Sequence, residues 1–237
     1  MIRPLLVALG FLTRLPLPRA ASDRADWAAS IRFYPLAGLV VGALAGAAGA
    51  LAAMRDPWLG ALAALLTWIL VTGALHLDGL GDLADALGAA HGDRDRLLRV
   101  LSEPQVGSFA VVAIVTQLLA KLVLLHGWSS HAWWSLALVT AAARIGPLAW
   151  ARWLPPLKPG LGATLAEAVR ARDLIGWGTV VLVASIARPA LFAALPLIAF
   201  YAWWLRRRLG GVNGDAHGAG IELVETGLLA AFVLVGG

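Results

Sequence analysis

FYPLAGLVVGALAGAAGALAAM, residues 33–54, holds no charged side chain, and small residues recur along it at Gly38, Gly42, Ala45, Gly46 and Gly49. As a helix rising about 1.5 Å per residue, this run is long enough to cross a hydrocarbon core of about 30 Å. Lipid offers the backbone no hydrogen-bond partners, so each N–H and C=O must be paired within the segment, and the run has to be a helix. Gly42 and Gly46 form a small-xxx-small pair, which lets a second helix approach closely in lipid.

Outward from this run, similar apolar stretches occupy residues 58–76, 108–126, 133–151, 174–187, 189–205 and 221–235. The expected fold is therefore all-α: a polytopic integral membrane helical bundle of about seven transmembrane helices. Residues 1–237 form a single domain, because no internal repeat or linker divides them. Composition agrees, since 60% of residues are apolar and 14% charged, with a mean hydropathy of +0.79, against about half and a quarter in soluble domains. Residues 4–13 follow Arg3 as a short apolar stretch that Arg14 and Pro16 interrupt without a small-x-small cleavage site. An amphipathic or partly inserted first helix is expected there, rather than a signal peptide.

The formal charge is +5, but Lys and Arg are scattered among many loops instead of forming one stripe, which argues against a nucleic-acid partner. Successive loops carry 5, 1, 3, 0, 4, 1, 3 and 0 of them, with Lys121 and Arg144 inside spans. This alternation predicts an inner-membrane protein, embedded in the lipid bilayer, whose N-terminus and every second loop are cytoplasmic. Trp128, Trp133 and Trp134 then fall at the opposite interface as an aromatic belt. Cysteine is absent, which excludes disulfides and thiolate sites.

Chemistry concentrates in two acidic stretches. In HLDGLGDLAD, residues 76–85, Asp78, Asp82 and Asp85 are spaced i, i+4, i+7 and share one helix face with no Lys or Arg between them. Three carboxylates on one stripe repel, and a hard cation relieves them; all-oxygen donors favour Mg²⁺ or Mn²⁺. In NGDAHGAGIELVE, residues 213–225, the glycine-rich start precedes a span expected from about residue 221; where the stretch is helical, Asp215 and Glu222 share a face, with Glu225 nearby. Glu222 and Glu225 are expected at the cytoplasmic end of the last span, level with the aspartates, and to join them in one site. Asn213 lies in what reads either as a glycine-rich turn or as part of that site. His76 and His217 are more ordinary hydrogen-bonding groups than ligands for a hard ion. Lys121 and Arg144 each need an anion, from the bundle or from a substrate phosphate, because an unpaired cation in a span is costly. Arg14 and Arg32 flank the first segment, where they can snorkel or reach a phosphate. Together these groups suggest metal-assisted phosphoryl transfer at a membrane face.

The same residues resemble the cobalamin synthase family, the adenosylcobinamide-GDP ribazoletransferases. The likeness runs through Phe11-Leu-Thr-Arg-Leu-Pro16, Phe33-Tyr-Pro-Leu-Ala-Gly38, His76-Leu-Asp-Gly-Leu80 with Asp82 and Asp85, Leu119-Ala-Lys-Leu-Val123, and Gly214-Asp215 leading to Glu222. It departs at Ala86, where members carry glycine, and at Glu103-Pro104, where they carry Asp-Ser. The resemblance implies that α-ribazole or its 5′-phosphate is joined to adenosylcobinamide-GDP with release of GMP. It also implies that Asp78, Asp82, Asp85, Asp215 and Glu222 act as catalytic and Mg²⁺-binding residues, with His76, Lys121, Arg144, Arg14 and Asn213 at the substrates. A homo-oligomer is compatible with this reading. Two alternatives are weaker. A CDP-alcohol phosphatidyltransferase would need the Ala-Arg step that does not follow Asp82-Leu-Ala-Asp85. An ion-coupled transporter would place its charges at the midplane.

Overall fold

The computed structural model describes residues 2–18, 22–90, 93–101, 105–128, 130–157 and 161–235. Its helices are α1 (Ile2–Leu12), α2 (Arg24–Ser30), α3 (Tyr34–Ala53), α4 (Pro57–Thr72), α5 (Leu75–Ala90), α6 (Arg94–Val100), α7 (Ser108–His126), α8 (Leu136–Ala143), α9 (Gly146–Trp153), α10 (Leu161–Ala168), α11 (Ala171–Ala187), α12 (Ala194–Arg208) and α13 (Gly214–Val235). Among the described residues no strand forms, so the all-α class expected from the apolar runs holds. Glu103 and Pro104, where the sequence departs from the resemblance, lie outside the described residues.

Among the described residues, four helical stretches are long and apolar enough to cross a membrane: Arg24–Ala53, Ser108–His126, Pro189–Arg208 and Gly214–Val235. Taking α4 and α5 as one span bent by 85° makes five. Seven spans are not confirmed among the described residues, for local reasons. Residues 133–151 are cut at Arg144 and Ile145 into α8 and α9, and Pro147, which lacks an N–H, sits in the first turn of the second piece. Residues 174–187 belong to α11, only 17 residues long, whose first turn carries Arg172 and Asp173. Apolar side chains nevertheless face outward along the bundle. On α7, Val111, Val112, Val115, Leu119 and Val123 are exposed, as lipid-facing residues are.

The small-residue face of α3 works as its spacing predicts. A Cβ added at Gly38 would meet the Thr140 backbone, and one at Gly42 or Gly46 would strike the backbone of residues 133–140. Without those side chains α3 and α8 touch, and Thr140 Oγ1 donates to the Gly38 carbonyl at 2.7 Å. Between α4 and α5 the chain turns through two left-handed residues, Gly73 (φ 62°) and Ala74 (φ 59°). Ala74 carries a cost of about 1–2 kcal/mol there, since a Cβ crowds the backbone in that region.

The basic loops gather at one end. Arg24 Nη2 donates to Thr164 Oγ1 at 3.2 Å, and the Leu157 N–H donates to the Val212 carbonyl at 2.9 Å, joining the N-terminal segment, the loop after α9 and the loop after α12. At the other end Trp58 stacks on His126, Trp128 on Phe232, and Arg188 sits over Trp134. Trp134 is exposed there, as a belt residue should be, whereas Trp128 and Trp133 are buried and belong to the core, Trp133 under Gly49.

Candidate active site at the basic end of the bundle

α5 and α13 meet at this end through glycine. A Cβ at Gly79 would lie 2.8 Å from the Asp215 carbonyl oxygen, and one at Gly218 would lie 3.3 Å from the His76 backbone. The glycine-rich stretch read as a turn is therefore a packing face, and the last helix begins at Gly214 rather than at residue 221. Asn213 ends the loop. Its Oδ1 accepts the Ala216 N–H at 2.9 Å, capping α13, while its Nδ2 donates to Asp215 Oδ2 at 2.8 Å. Asp215 is thus held in the first turn of α13, where the helix dipole favours a carboxylate.

The three aspartates of α5 fall on one face as their spacing requires, but their surroundings differ. Asp78 is exposed and Asp82 half-buried. Asp82 stands in the negative field of Asp215, Asp78 and Asp85. Asp85 is buried and already employed: Oδ2 accepts the Gly107 N–H at 2.6 Å and Oδ1 the Ala110 N–H at 2.9 Å. The N-cap of α7 is Gly107, which has no side chain to satisfy the free amides of the first turn, and Asp85 of α5 does so instead. No three His, Asp or Glu side chains among the described residues form a ready-made metal cluster.

Two cavities flank the aspartate row. One, of about 780 Å³, is polar and is lined by Asp85, Asp93, Arg96, Arg99, Gln105 and Ser108. The other, of about 320 Å³, is mainly apolar, with Leu12, Ile31, Leu75 and Ile221 in its wall and Asp78 and Asp215 at its edge. Arg14 is exposed and lines a third cavity with Phe11 and Trp27; its backbone N–H donates to the Val71 carbonyl at 2.7 Å.

Glu222 does not join the aspartates. Seven residues beyond Asp215 on a continuous helix, it lies on the same side but about 10 Å further along the axis. There it pairs with Lys121 (2.7 Å), which also pairs with Glu225 (2.7 Å); Glu225 in turn pairs with Arg144 (2.7 Å). All four side chains are at most 5% exposed. Lys121 and Arg144 have thus found their anions within the bundle. Gln117, which the sequence reading passed over, donates to Glu222 Oε2 at 3.0 Å and Thr226 Oγ1 at 2.7 Å. Its place one turn before Lys121 on the same face of a span was the available signal. His76 reaches this group through Nδ1, 3.5 Å from Arg144 Nη2.

These features define a class: a polytopic helical membrane protein whose candidate site is a carboxylate group where two helices meet at its basic end. The family described as Cobalamin-5-phosphate synthase matches residues 4–233, and the chain belongs to that family. A protein of Novosphingobium aromaticivorans named adenosylcobinamide-GDP ribazoletransferase is 52% identical over 240 residues, covering 99% of this chain and 98% of its own length. Proteins of the same name from Thiobacillus denitrificans and Pseudomonas aeruginosa (strain UCBPP-PA14) are 47% and 36% identical, over 99% and 98% of this chain. No solved structure matches the chain.

Proposed function

We propose that this protein joins α-ribazole, or its 5′-phosphate, to adenosylcobinamide-GDP with release of GMP, at the cytoplasmic face of the bacterial inner membrane. Full-length similarity to relatives of that name supports the reaction. The observation that carries the site is the meeting of Asp78 and Asp82 of α5 with Asp215 of α13, a carboxylate group that includes no cation of the buried ion-pair network.

Transfer forms a bond from a ribose hydroxyl oxygen to the phosphorus attached to adenosylcobinamide and breaks that phosphorus's bond to the GMP phosphate. The hydroxyl proton passes to a carboxylate of the group. Mutually repelling oxygen donors fit a hard divalent ion, and their lack of a closed ligand shell fits one that substrate phosphate also holds. Asp78, Asp82 and Asp215 would hold Mg²⁺ or Mn²⁺, which when bound neutralises charge on the diphosphate. Asp85 positions α5 against α7 through the Gly107 and Ala110 amides. Arg96 and Arg99 in the polar cavity supply positive charge for the phosphates of the leaving nucleotide. Chelation of divalent ions by EDTA should stop product formation, and added Mg²⁺ or Mn²⁺ should restore it. Turnover indifferent to chelation would remove the metal from this reading.

Orientation is tested separately. With the basic end in the cytoplasm, single cysteines at Arg96, Arg170 and Arg207 should resist an impermeant thiol reagent in intact cells, while cysteines at Arg55 and Arg188 react. The reverse pattern would put the site on the other face.

A further inference from the structure

We infer that the apolar cavity between α5, α10 and α13 holds the flat base of the incoming riboside, with His76 as its polar anchor; this rests on the transfer reaction proposed above. The cavity measures about 320 Å³, within the range of small-molecule sites, and Asp78 and Asp215 stand at its edge. A riboside whose base lies inside would present its sugar hydroxyls to the carboxylates.

The competing parts of the two substrates fit less well. Guanine, ribose and diphosphate carry more polar edges than Tyr34, His76 and His217 in this wall can pair, and the remainder would lie against Leu12, Ile31, Leu75 and Ile221. The corrin macrocycle is too large. The base of α-ribazole, a methylated benzimidazole, is apolar over both faces and offers one acceptor, the ring nitrogen that does not bear the sugar.

His76 supplies the matching donor. It lines the cavity and is 3% exposed. Arg144 can only donate, so Nδ1 accepts from it and the ring proton sits on Nε2. Nε2 is buried without a hydrogen-bond partner among the described residues, a costly arrangement unless a ligand completes it. The ring nitrogen of benzimidazole does so. Guanine is thereby assigned to the polar cavity with Arg96 and Arg99, at the Asp85 end of the row.

The test fills the cavity and removes the donor, using purified full-length protein. Leu165, half-buried in the wall, is replaced by Trp. Leu165→Trp should raise KM for α-ribazole about tenfold or more while leaving KM for adenosylcobinamide-GDP unchanged within error. Equilibrium dialysis of α-ribazole alone should show the same weakening. His76→Phe should abolish the preference for the benzimidazole riboside over the indole riboside, which has carbon in place of the acceptor nitrogen. A rise confined to the adenosylcobinamide-GDP KM, or no change in either, overturns the assignment, as does an intact preference in His76→Phe. If α-ribazole binds and Leu165→Trp weakens it but no GMP forms, the pocket stands and the transfer reaction fails. If product forms and Leu165→Trp binds α-ribazole normally, the reaction stands and the pocket fails.

Discussion

Asp82→Asn should lower turnover by about 10³-fold or more while the protein still inserts and folds and melts no lower than the parent. Among the described residues Asp82 accepts no hydrogen bond and forms no ion pair, so its carboxylate holds nothing of the fold together. Instead it sits half-buried in the field of three other carboxylates, a repulsive arrangement that folding alone does not reward. The amide of asparagine keeps the shape and relieves the repulsion, yet is a far weaker ligand for a hard cation and no proton acceptor. Asp85→Asn offers the contrast. It weakens acceptance of two amides at the start of α7, so it should lower thermal stability as well as rate. Near-normal turnover by Asp82→Asn would move the chemistry away from the junction of α5 and α13.

Glu225→Ala should destabilise the protein by about 3–5 kcal/mol, read as a large fall in the melting temperature in detergent. Glu225 is fully buried, and its two oxygens take one cation each, Arg144 and Lys121. Removing it leaves Arg144 with its backbone acceptor, Thr140, and a 3.5 Å approach to His76, and leaves Lys121 with Glu222 as its one carboxylate beside the Trp68 ring face. Inside a bundle at membrane depth an unbalanced cation has no water to turn to. Replacing all four charged residues with apolar ones of similar volume should cost much less, since the desolvation of the group disappears with it. A Glu225→Ala protein that melts within a degree or two of the parent would show that the network contributes little to folding.

The aspartate stripe of α5 was legible because a helical period needs only the sequence, and so was the need of Lys121 and Arg144 for an anion; that the bundle and not a substrate supplies it was not. What escaped depended on where helices begin and what packs beside them. Gly214, Gly218 and Gly220 read as a flexible turn, which set the start of the last span at residue 221 and put Glu222 level with Asp82. In the fold Gly218 lies against His76 and Gly220 against Trp150 and Tyr201. The helix therefore starts two turns earlier, and Glu222 is carried inward to Lys121. Asp85 reads as a third ligand equivalent to its neighbours; only the approach of Gly107, a cap residue without a side chain, turns it into the cap of α7. Likewise hydropathy carries a span straight through residues 133–151, although Gly146-Pro147 marks where the chain breaks.

In the proposed reaction the junction of α5 and α13 transfers a phosphoryl-linked corrinoid to a riboside hydroxyl. The most direct measurement is GMP release from adenosylcobinamide-GDP by the purified protein, with and without α-ribazole. GMP should form only when α-ribazole is present, in equal amount with the joined corrinoid product, and neither should form with Asp82→Asn. GMP released equally without α-ribazole, or no GMP under either condition, would contradict that reaction.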